Sequence, residues 1–253
     1  MSFLRTAILT VALSVAQVAG AQSVQEHIAA ADRDYTAQNA ASAYAHYEAA
    51  IKADPSNYEA LWKAARTAID LGEGAPDAAT RKRHYAAGEQ LARRAVAANT
   101  RDAEGHYTLA RALGRTALSL GTRERIKYAG DVRAHALEAL KIDPAHAGAL
   151  HVMGMWNAEV MRLNGVSRMI AKNFLGGQVF GTASWAEARR YMEEAVRVDP
   201  VRLTHKLDLG MIYADMGEKA KARDMLTQVV NGRATEVNDA RYKRMAGEKL
   251  RNL

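Results

Sequence analysis

The chain of 253 residues contains no cysteine and only four prolines. The absence of cysteine excludes disulfides, thiolate metal sites, cysteine nucleophiles and the lipid-bearing cysteine of a bacterial lipoprotein. Aromatic residues make up only 6% of the sequence, and the alternating pattern of strands is almost absent. The remaining composition is rich in Ala, Leu, Arg, Glu and Met, which favour helices, with Gly and Asn or Asp grouped at breaks. The sequence therefore predicts an all-α fold.

The first 21 residues have the pattern of a secretory signal peptide. Arg5 supplies a positive charge, residues 6–18 form an apolar stretch, and residues 19–21 provide the small side chains of a cleavage site. The apolar stretch is shorter than the roughly 20 residues that span a bilayer, so we expect cleavage after Ala21 and no retained anchor. Because an exported chain without disulfides is typical of the bacterial periplasm, we predict a periplasmic or secreted protein.

Motifs of catalytic and cofactor sites are missing. The sequence has no His-Glu-x-x-His, no Gly-x-Ser-x-Gly, no phosphate loop and no Gly-rich dinucleotide turn. The eight histidines are scattered, and the five-residue spacing of His146 and His151 does not place two metal ligands on one helical face. We therefore predict a protein that is not an enzyme and uses no metal or cofactor. The net charge of +7 favours acidic partners in general, but the basic clusters are short and interleaved with acids, so we expect no nucleic acid.

A six-residue phrase that ends in Asp-Pro occurs three times, at residues 50–55, 139–144 and 195–200. Each phrase closes a run with helical spacing, where a proline ends one helix and allows the next to begin. One full unit carries a Leu-Gly pair, an aromatic residue, a glycine turn, a small residue and a leucine, at Leu209-Gly210, Tyr213, Gly217, Ala222 and Leu226. This order resembles the tetratricopeptide repeat (TPR), a helix-turn-helix of 34 residues in which small side chains let the two helices approach closely.

The repeat predicts a right-handed TPR-like α-solenoid over residues 22–253. Its units are expected near 24–57, 58–102, 103–146, 147–202 and 203–236, followed by a capping helix at 237–253. Units two to four exceed the standard repeat by about 11, 10 and 22 residues. We expect these insertions to separate the two helices of each unit.

Two further stretches are distinctive. One is Tyr-Glu-Ala-Leu-Trp-Lys-Ala-Ala-Arg at residues 58–66, and the other runs from residues 153–156 through 167–174 to 185–188. Together with the insertion pattern, they resemble the regulator of microtubule dynamics family of TPR proteins, which has bacterial members. The resemblance implies an all-helical array used for protein or lipid contact, with no catalytic residues. An export signal is incompatible with microtubule contact, so we take over the fold and not that role.

TPR arrays bind extended peptides along a concave face that the first helix of each unit lines. Counting along these helices places eight residues on that face: Trp62, Arg66, Tyr107, Arg111, Arg115, His151, Met155 and Glu159. An aromatic ring followed one turn later by an arginine occurs twice, and the guanidinium can pair with a carboxylate. We therefore predict a non-catalytic scaffold for a protein or peptide partner of acidic or C-terminal carboxylate character. The alternative is that Trp62 and Tyr107 are core residues and the arginines solvate neighbouring turns.

The unit-four insertion, residues 163–184, is the longest departure from the repeat. Its apolar residues could cover one end of the groove or contact a membrane: Met169, Ile170, Phe174 and Phe180. Packing on its own repeat is the plainer alternative. A small-molecule pocket built by this insertion, in an enzyme accessory module, is the rival function, and membrane contact is the less favoured rival.

Overall fold

The computed structural model describes residues 23–163 and 178–253. The predicted signal peptide therefore lies outside the described residues. Within them, all regular structure is helical, as the composition predicts. The helices are α1 (residues 23–36), α2 (Ala40–Ala53), α3 (Tyr58–Gly74), α4 (Ala78–Ala98), α5 (Ala103–Leu118), α6 (Thr122–Ile142), α7 (Ala147–Arg162), α8 (Gln178–Gly181), α9 (Trp185–Val198), α10 (Leu203–Asp215), α11 (Lys219–Asn231) and α12 (Asp239–Arg251). In the same part of the chain, no helix combines the length and hydropathy needed to cross a membrane.

The helices pack as successive hairpins. Helix α3 pairs with α4, α5 with α6, α7 with α9, and α10 with α11. The first helices also contact one another in order, α3 with α5, α5 with α7, and α7 with α10. Each hairpin alone would leave its apolar stripe in water, and stacking buries that stripe against the next hairpin. The first helices therefore form an inner row, and the fold is the TPR-like solenoid that the repeat predicts.

The repeated Asp-Pro phrase ends a helix at each of its occurrences. Asp54, Asp143 and Asp199 are the C-cap residues of α2, α6 and α9, with ψ angles of 97°, 97° and 81°. A residue that precedes proline avoids the helical region because its backbone and Cβ would clash with the proline ring. The phrase thus sets the boundary between one hairpin and the next.

Small residues lie where the two helices of a hairpin cross. A Cβ atom on Gly210 of α10 would lie only 2.8 Å from Cγ of Leu226 in α11. A Cβ atom on Gly154 of α7 would lie 3.2 Å from the carbonyl oxygen of Ala188 and 3.0 Å from Cε of Met192, both in α9. The close approach of the helices therefore depends on glycine, as the repeat register predicts.

The predicted position of the insertions is wrong for units two and three. Helices α3 and α4 contain 17 and 21 residues, and α5 and α6 contain 16 and 21, whereas α2 contains 14. The extra residues lengthen the helices instead of separating them, because they are mostly helix formers that continue the helical spacing. In unit four, residues 164–177 lie outside the described residues, and α8 follows them.

The C-terminal helix does more than cap the array. Helix α12 packs on α10 and α11, and the residues at its start reach α3. Nδ2 of Asn238 donates to the backbone oxygen of Asp70 at 3.0 Å, and the hydroxyl of Tyr242 donates to Oε2 of Glu73 at 2.5 Å. These contacts join positions 168 and 169 residues apart in the chain. The end of the array therefore returns to unit two and covers part of the inner row.

Candidate functional site

A cavity of about 130 Å³ lies among the inner helices. Residues of α3, α5, α7 and α10 line it, together with residues of α1, α6, α8 and the start of α12. We call this space the inner cavity. Leu118, which is 36% exposed, is one of its lining residues, so the cavity reaches the surface near the end of α5.

One wall of the inner cavity is apolar. Its residues belong to a single hydrophobic cluster: Ile126, Val132, Trp156, Val160 and Phe180. The rings of Trp156 and Phe180 are stacked, with centroids 6.1 Å apart, and Nε1 of Trp156 donates to the backbone oxygen of Ala129 at 2.8 Å. These contacts hold two aromatic rings in fixed positions, so the wall is preformed.

Gly114 of α5 borders the unfilled space of the cavity. It is a lining residue, and a Cβ atom added to it would meet no other atom within 4 Å. A side chain at this position would therefore extend into empty space. Gly130 of α6 is also a helical glycine without a neighbour within 4 Å of its Cβ position, but it is exposed and does not line the cavity.

A second part of the lining, the polar wall, carries buried ion pairs. Nη2 of Arg111 lies 2.6 Å from Oδ1 of Asp70 and 2.9 Å from Oε1 of Glu73, and Nε of Arg115 lies 2.9 Å from the same Glu73 oxygen. Burial alone would raise the pKa of Glu73, but Arg115 and Arg111 and the hydroxyl of Tyr242 together lower it to about 2. The carboxylate is thus held charged between two guanidinium groups.

These pairs correct the expected role of the arginines. Arg111 and Arg115 do line the cavity, as the helix counting predicts. Their charges are already balanced by Asp70 and Glu73. The reason for expecting a carboxylate-bearing partner is therefore removed, because a second carboxylate would compete with internal ones.

Further charges around the cavity are also paired. Nη2 of Arg202 lies 2.5 Å from Oε1 of Glu236. Glu159, a predicted concave residue, lies 3.1 Å from Nη1 of Arg125 and 2.6 Å from Nη1 of Arg162. The described lining therefore offers little net charge to a ligand.

A chain of three polar side chains lies between α7 and α10. Nε2 of His151 is 2.9 Å from Oδ2 of Asp208, and Nδ1 of His151 is 2.7 Å from Nδ1 of His205. His205 is 1% exposed, and its Nε2 has no hydrogen-bond partner within the described structure. Burial, with His151 and Arg202 nearby, lowers the pKa of His205 well below its usual value. All three residues of this chain line the inner cavity.

A family model for the regulator of microtubule dynamics proteins 1–3 matches residues 26–253. The chain belongs to this family. The bovine regulator of microtubule dynamics protein 1 is 27% identical over 201 residues, which cover 77% of this chain and 62% of the relative. Protein 3 of Xenopus laevis is 26% identical over 169 residues, which cover 66% of this chain and 36% of the relative. The chain thus matches less than two thirds of the length of either relative.

A crystal structure supports the fold assignment for this family member. The thermophilic TPR protein TTC0263 of Thermus thermophilus superposes with a TM-score of 0.64 and 17% identity, covering 88% of this chain and 98% of the other. At this identity the similarity shows the fold alone. Both the predicted TPR solenoid and the predicted family are confirmed. Solenoids of stacked repeats form extended concave surfaces.

The predicted concave residues fall into two groups in this family member. Six of them line the inner cavity: Tyr107, Arg111, Arg115, His151, Met155 and Glu159. Trp62 and Arg66 do not. The guanidinium carbon of Arg66 lies 3.9 Å from the ring centre of Tyr35 and 5.2 Å from that of Trp62. Trp62 packs against the same hydrophobic cluster that includes the apolar wall of the cavity. Arg66 is thus held between rings of α1 and α3, and the predicted role of this pair on a binding face stays a prediction.

Tyr107 also has a packing role. It is 8% exposed, and its ring centre lies 4.7 Å from that of His146. Phe180 of the unit-four insertion is 3% exposed and forms part of the apolar wall. Met169, Ile170 and Phe174 lie outside the described residues.

Several lining residues were missed from the sequence: Gly114, Arg202, His205, Asp208, Asn238 and Tyr242. His205 and Asp208 were within reach of sequence reasoning, since continuing the inner-face count into α10 with a spacing of three residues finds both. Asn238 and Tyr242 gave no such signal, because they reach the cavity only through the return of α12. Among the described residues, no group of three or more His, Asp or Glu side chains is arranged to hold a metal ion.

Proposed function

We propose that this protein is an exported, non-catalytic TPR scaffold that binds a protein or peptide partner and takes up one bulky side chain of that partner in the inner cavity. The observation that carries the proposal is the preformed cavity between the first helices of the repeat. TPR arrays use this side for binding, and buried anchor side chains dominate the affinity of most protein interfaces.

The size and lining of the cavity define the anchor. An engineered apolar cavity of about 150 Å³ in another protein holds one benzene ring, and the inner cavity has a comparable volume of about 130 Å³. Trp156 and Phe180 supply apolar contact on one wall. Because Arg111, Arg115 and Arg202 are paired internally, the anchor is an uncharged, ring-sized side chain and not a carboxylate.

Filling the cavity tests this proposal. Peptides that bind the wild-type protein are selected from a display library, and their affinities for two variants are measured by fluorescence anisotropy. Gly114→Leu places a side chain in the cavity, whereas Gly130→Leu makes the same change at an exposed helical glycine. We expect Gly114→Leu to weaken binding at least about tenfold, as for the loss of a buried anchor. Equal affinity of both variants for the selected peptides would contradict the proposal.

The exported location is part of the proposal. It is supported by the signal pattern of residues 1–21, with its cleavage site after Ala21. Mass spectrometry of the protein from fractionated cells of the native host tests it. We expect a mature chain that begins at Gln22 in the periplasmic or secreted fraction, and a cytoplasmic chain that retains residues 1–21 would contradict it.

A small apolar molecule is the second candidate occupant. It is favoured by Leu163 and Phe180, which belong to the unit-four insertion and both line the cavity. Native mass spectrometry of protein purified from its own host tests this alternative. A bound compound that is lost in Gly114→Leu and kept in Gly130→Leu would support it.

A further inference from the structure

The sequence contains four short clusters of basic residues, and the fold neutralises two of them. Nη2 of Arg93 in one cluster lies 2.9 Å from Oε1 of Glu89. Both arginines of the cluster at residues 189–190 pair with glutamates. The other two clusters, at residues 81–83 and 241–244, form no ion pair with any carboxylate of the described structure.

These two clusters contain six cations, which we call the basic patch: Arg81, Lys82, Arg83, Arg241, Lys243 and Arg244. Four of the six residues are exposed: Lys82, Arg83, Arg241 and Arg244. Nζ of Lys243 donates to the backbone oxygen of Gly232 at 2.8 Å, and Nη2 of Arg83 donates to the hydroxyl of Thr80 at 3.1 Å. Such neutral acceptors hold the side chains and leave their charges uncompensated.

The acids that are interleaved with these cations in the sequence serve the backbone in the fold. Oδ1 of Asp77, the N-cap residue of α4, accepts from the backbone nitrogen of Thr80 at 2.8 Å. Asp239 is buried, and its Oδ2 accepts from the backbone nitrogens of Thr235 and Glu236 at 2.7 and 2.8 Å. Each of these carboxylates thus stabilises a turn of its own segment instead of pairing with the basic patch.

Both clusters border the C-terminal end of α3. Helix α4, which carries one cluster, begins at Ala78, directly after the turn that follows α3. A Cβ atom on Gly74, the last residue of α3, would lie 3.4 Å from Oδ1 of Asn238. Asn238 is the N-cap residue of α12, which carries the other cluster. The starts of α4 and α12 therefore lie against the same helix end.

One buried ring is influenced by a guanidinium group from each cluster. Burial raises the pKa of Tyr85 in α4, and so does Glu73. Arg115, Arg81 and Arg241 act in the opposite direction. A charge shifts a pKa only from nearby, so Arg81 and Arg241 both lie near this ring. The fold therefore joins two clusters from distant parts of the chain into one positive surface.

The basic patch lies at the same end of the array as the opening of the inner cavity. Arg111 pairs with Asp70 and Arg115 pairs with Glu73, so α3 and α5 run in the same direction. Their C-terminal ends therefore lie at one end of the array. Helix α5 ends at Leu118, where the cavity reaches the surface, and the basic patch borders the end of α3.

The chemistry of the patch favours an acidic protein segment over a lipid surface. Four of its six cations are arginines, whose planar forks match carboxylates. Helices that bind a membrane surface insert large apolar side chains into it. In the described part of the chain, the exposed large hydrophobic residues are Leu118, Ile142 and Val201, and none of them belongs to α4 or α12.

We propose that the basic patch binds an acidic segment of the protein partner, next to the side chain that enters the inner cavity. This inference rests on the proposed function, because it adds a second contact to the same partner. Helix α12 contributes Tyr242 to the cavity and Arg241 to the patch. A helix is about 10–12 Å wide and an extended chain advances about 3.3 Å per residue, so the acidic residues lie about three to six positions from the anchor.

A change in the peptide alone gives the first test. Peptides are selected on the wild-type protein from a display library, and we expect Asp and Glu to be enriched about three to six positions from the anchor. Each acidic peptide is compared by fluorescence anisotropy with a counterpart that carries Asn and Gln instead. We expect the counterpart to bind at least about fivefold more weakly at about 50 mM salt, and the difference to shrink at about 300 mM. Equal affinities at low salt would overturn the inference.

A change in the protein gives the second test. The double variant Arg83→Glu/Arg241→Glu reverses two exposed cations of the patch. Its control, Lys52→Glu/Arg101→Glu, changes the net charge equally at exposed positions after the opposite ends of α2 and α4. We expect the patch variant to bind the acidic peptides at least about fivefold more weakly and the control to lose less than about twofold. Equal losses would show attraction to net charge alone and overturn the inference.

The lipid alternative is tested with vesicles. Co-sedimentation with vesicles of phosphatidylglycerol and phosphatidylcholine is measured for the wild type and both double variants. We expect no binding that depends on the patch. Vesicle binding that only the patch variant loses, together with acidic peptides that do not distinguish the two double variants, would assign the patch to a lipid surface and overturn the inference.

The anchor and the acidic contact fail separately. Peptides that lose affinity in Gly114→Leu but bind both double variants equally would leave the proposed function standing and remove the acidic contact. Peptides that lose affinity in the patch variant but bind Gly114→Leu and Gly130→Leu equally would remove the anchor and leave the acidic contact. A selection that yields no binding peptide would overturn both.

Discussion

Replacing Glu73 with glutamine should destabilise this protein more than any comparable surface change. The side chain of Glu73 is buried, and its carboxylate contacts Arg111, Arg115 and Tyr242. Glutamine keeps the volume and removes the charge. Arg111 keeps Asp70 as a partner, but Arg115 loses its carboxylate. Breaking a buried ion pair on one side destabilises a protein by about 3–5 kcal/mol, because a charge is left buried without compensation.

That loss is large against the whole stability of the protein. Globular domains have free energies of unfolding of about 5–15 kcal/mol. For a chain of this length, 1 kcal/mol corresponds to about 2–4 °C in Tm, so we expect Tm to fall by about 6–20 °C. Urea unfolding followed by circular dichroism measures the free energy, and a thermal scan measures Tm.

The control is Glu194→Gln, which removes an exposed i,i+3 partner of Arg197. Surface pairs of this kind contribute little, so its urea midpoint should match that of the wild type. A Glu73→Gln variant as stable as Glu194→Gln would show that the buried ion pairs and the Tyr242 hydrogen bond do not stabilise the fold. That result would contradict the assigned contact between α3 and α12.

The same network predicts coupling between distant positions. Tyr242→Phe alone should cost about 1.5–3 kcal/mol, the value of a hydrogen bond to a charged group, and only about 0.5–1.5 kcal/mol in the Glu73→Gln background, where the glutamine oxygen accepts the bond without a charge. Met192→Ala should cost about 2–5 kcal/mol in urea unfolding, since Met192 is fully buried where α7 and α9 cross, and a smaller loss would mean that the crossing repacks. Acid should also destabilise the fold. Burial, with a facing histidine, lowers the pKa of His135 and His205 from the ordinary 6.5, so below that pH the unfolded chain takes up more protons than the native one. The urea midpoint should therefore fall as the pH decreases from 7.5 to 5.5, and a constant midpoint would contradict neutral histidines in the native state.

The fold could be predicted because its determinants are local in the sequence. Asp143 before a proline ends a helix wherever it stands, and Gly154 and Gly210 fall in the register of a known repeat. The inner face of α5 followed in the same way, since helical spacing alone places Tyr107 and Arg111 on one side. Helical spacing does not show which charged residue of another helix pairs with Arg111. Glu73 lies 38 residues before Arg111 and is joined to Tyr242 across 169 residues. Such contacts depend on the curvature accumulated over several units, which no single repeat specifies.

The insertions contribute two residues to the apolar wall of the cavity. Helices α2 and α9 each have 14 residues and end at the Asp-Pro phrase. Aligned at the same phrase, the last 14 residues of α6 begin at Ala129, so the added turns are residues 122–128. Ile126 of the apolar wall lies in those turns, and Phe180 of the same wall lies in the unit-four insertion. The standard part of the repeat supplies the polar wall and, with Val132, Trp156 and Val160, most of the apolar wall, and the added segments contribute Ile126 and Phe180 to that apolar wall. The departures from the 34-residue repeat thus add apolar surface to a cavity that the standard helices already line.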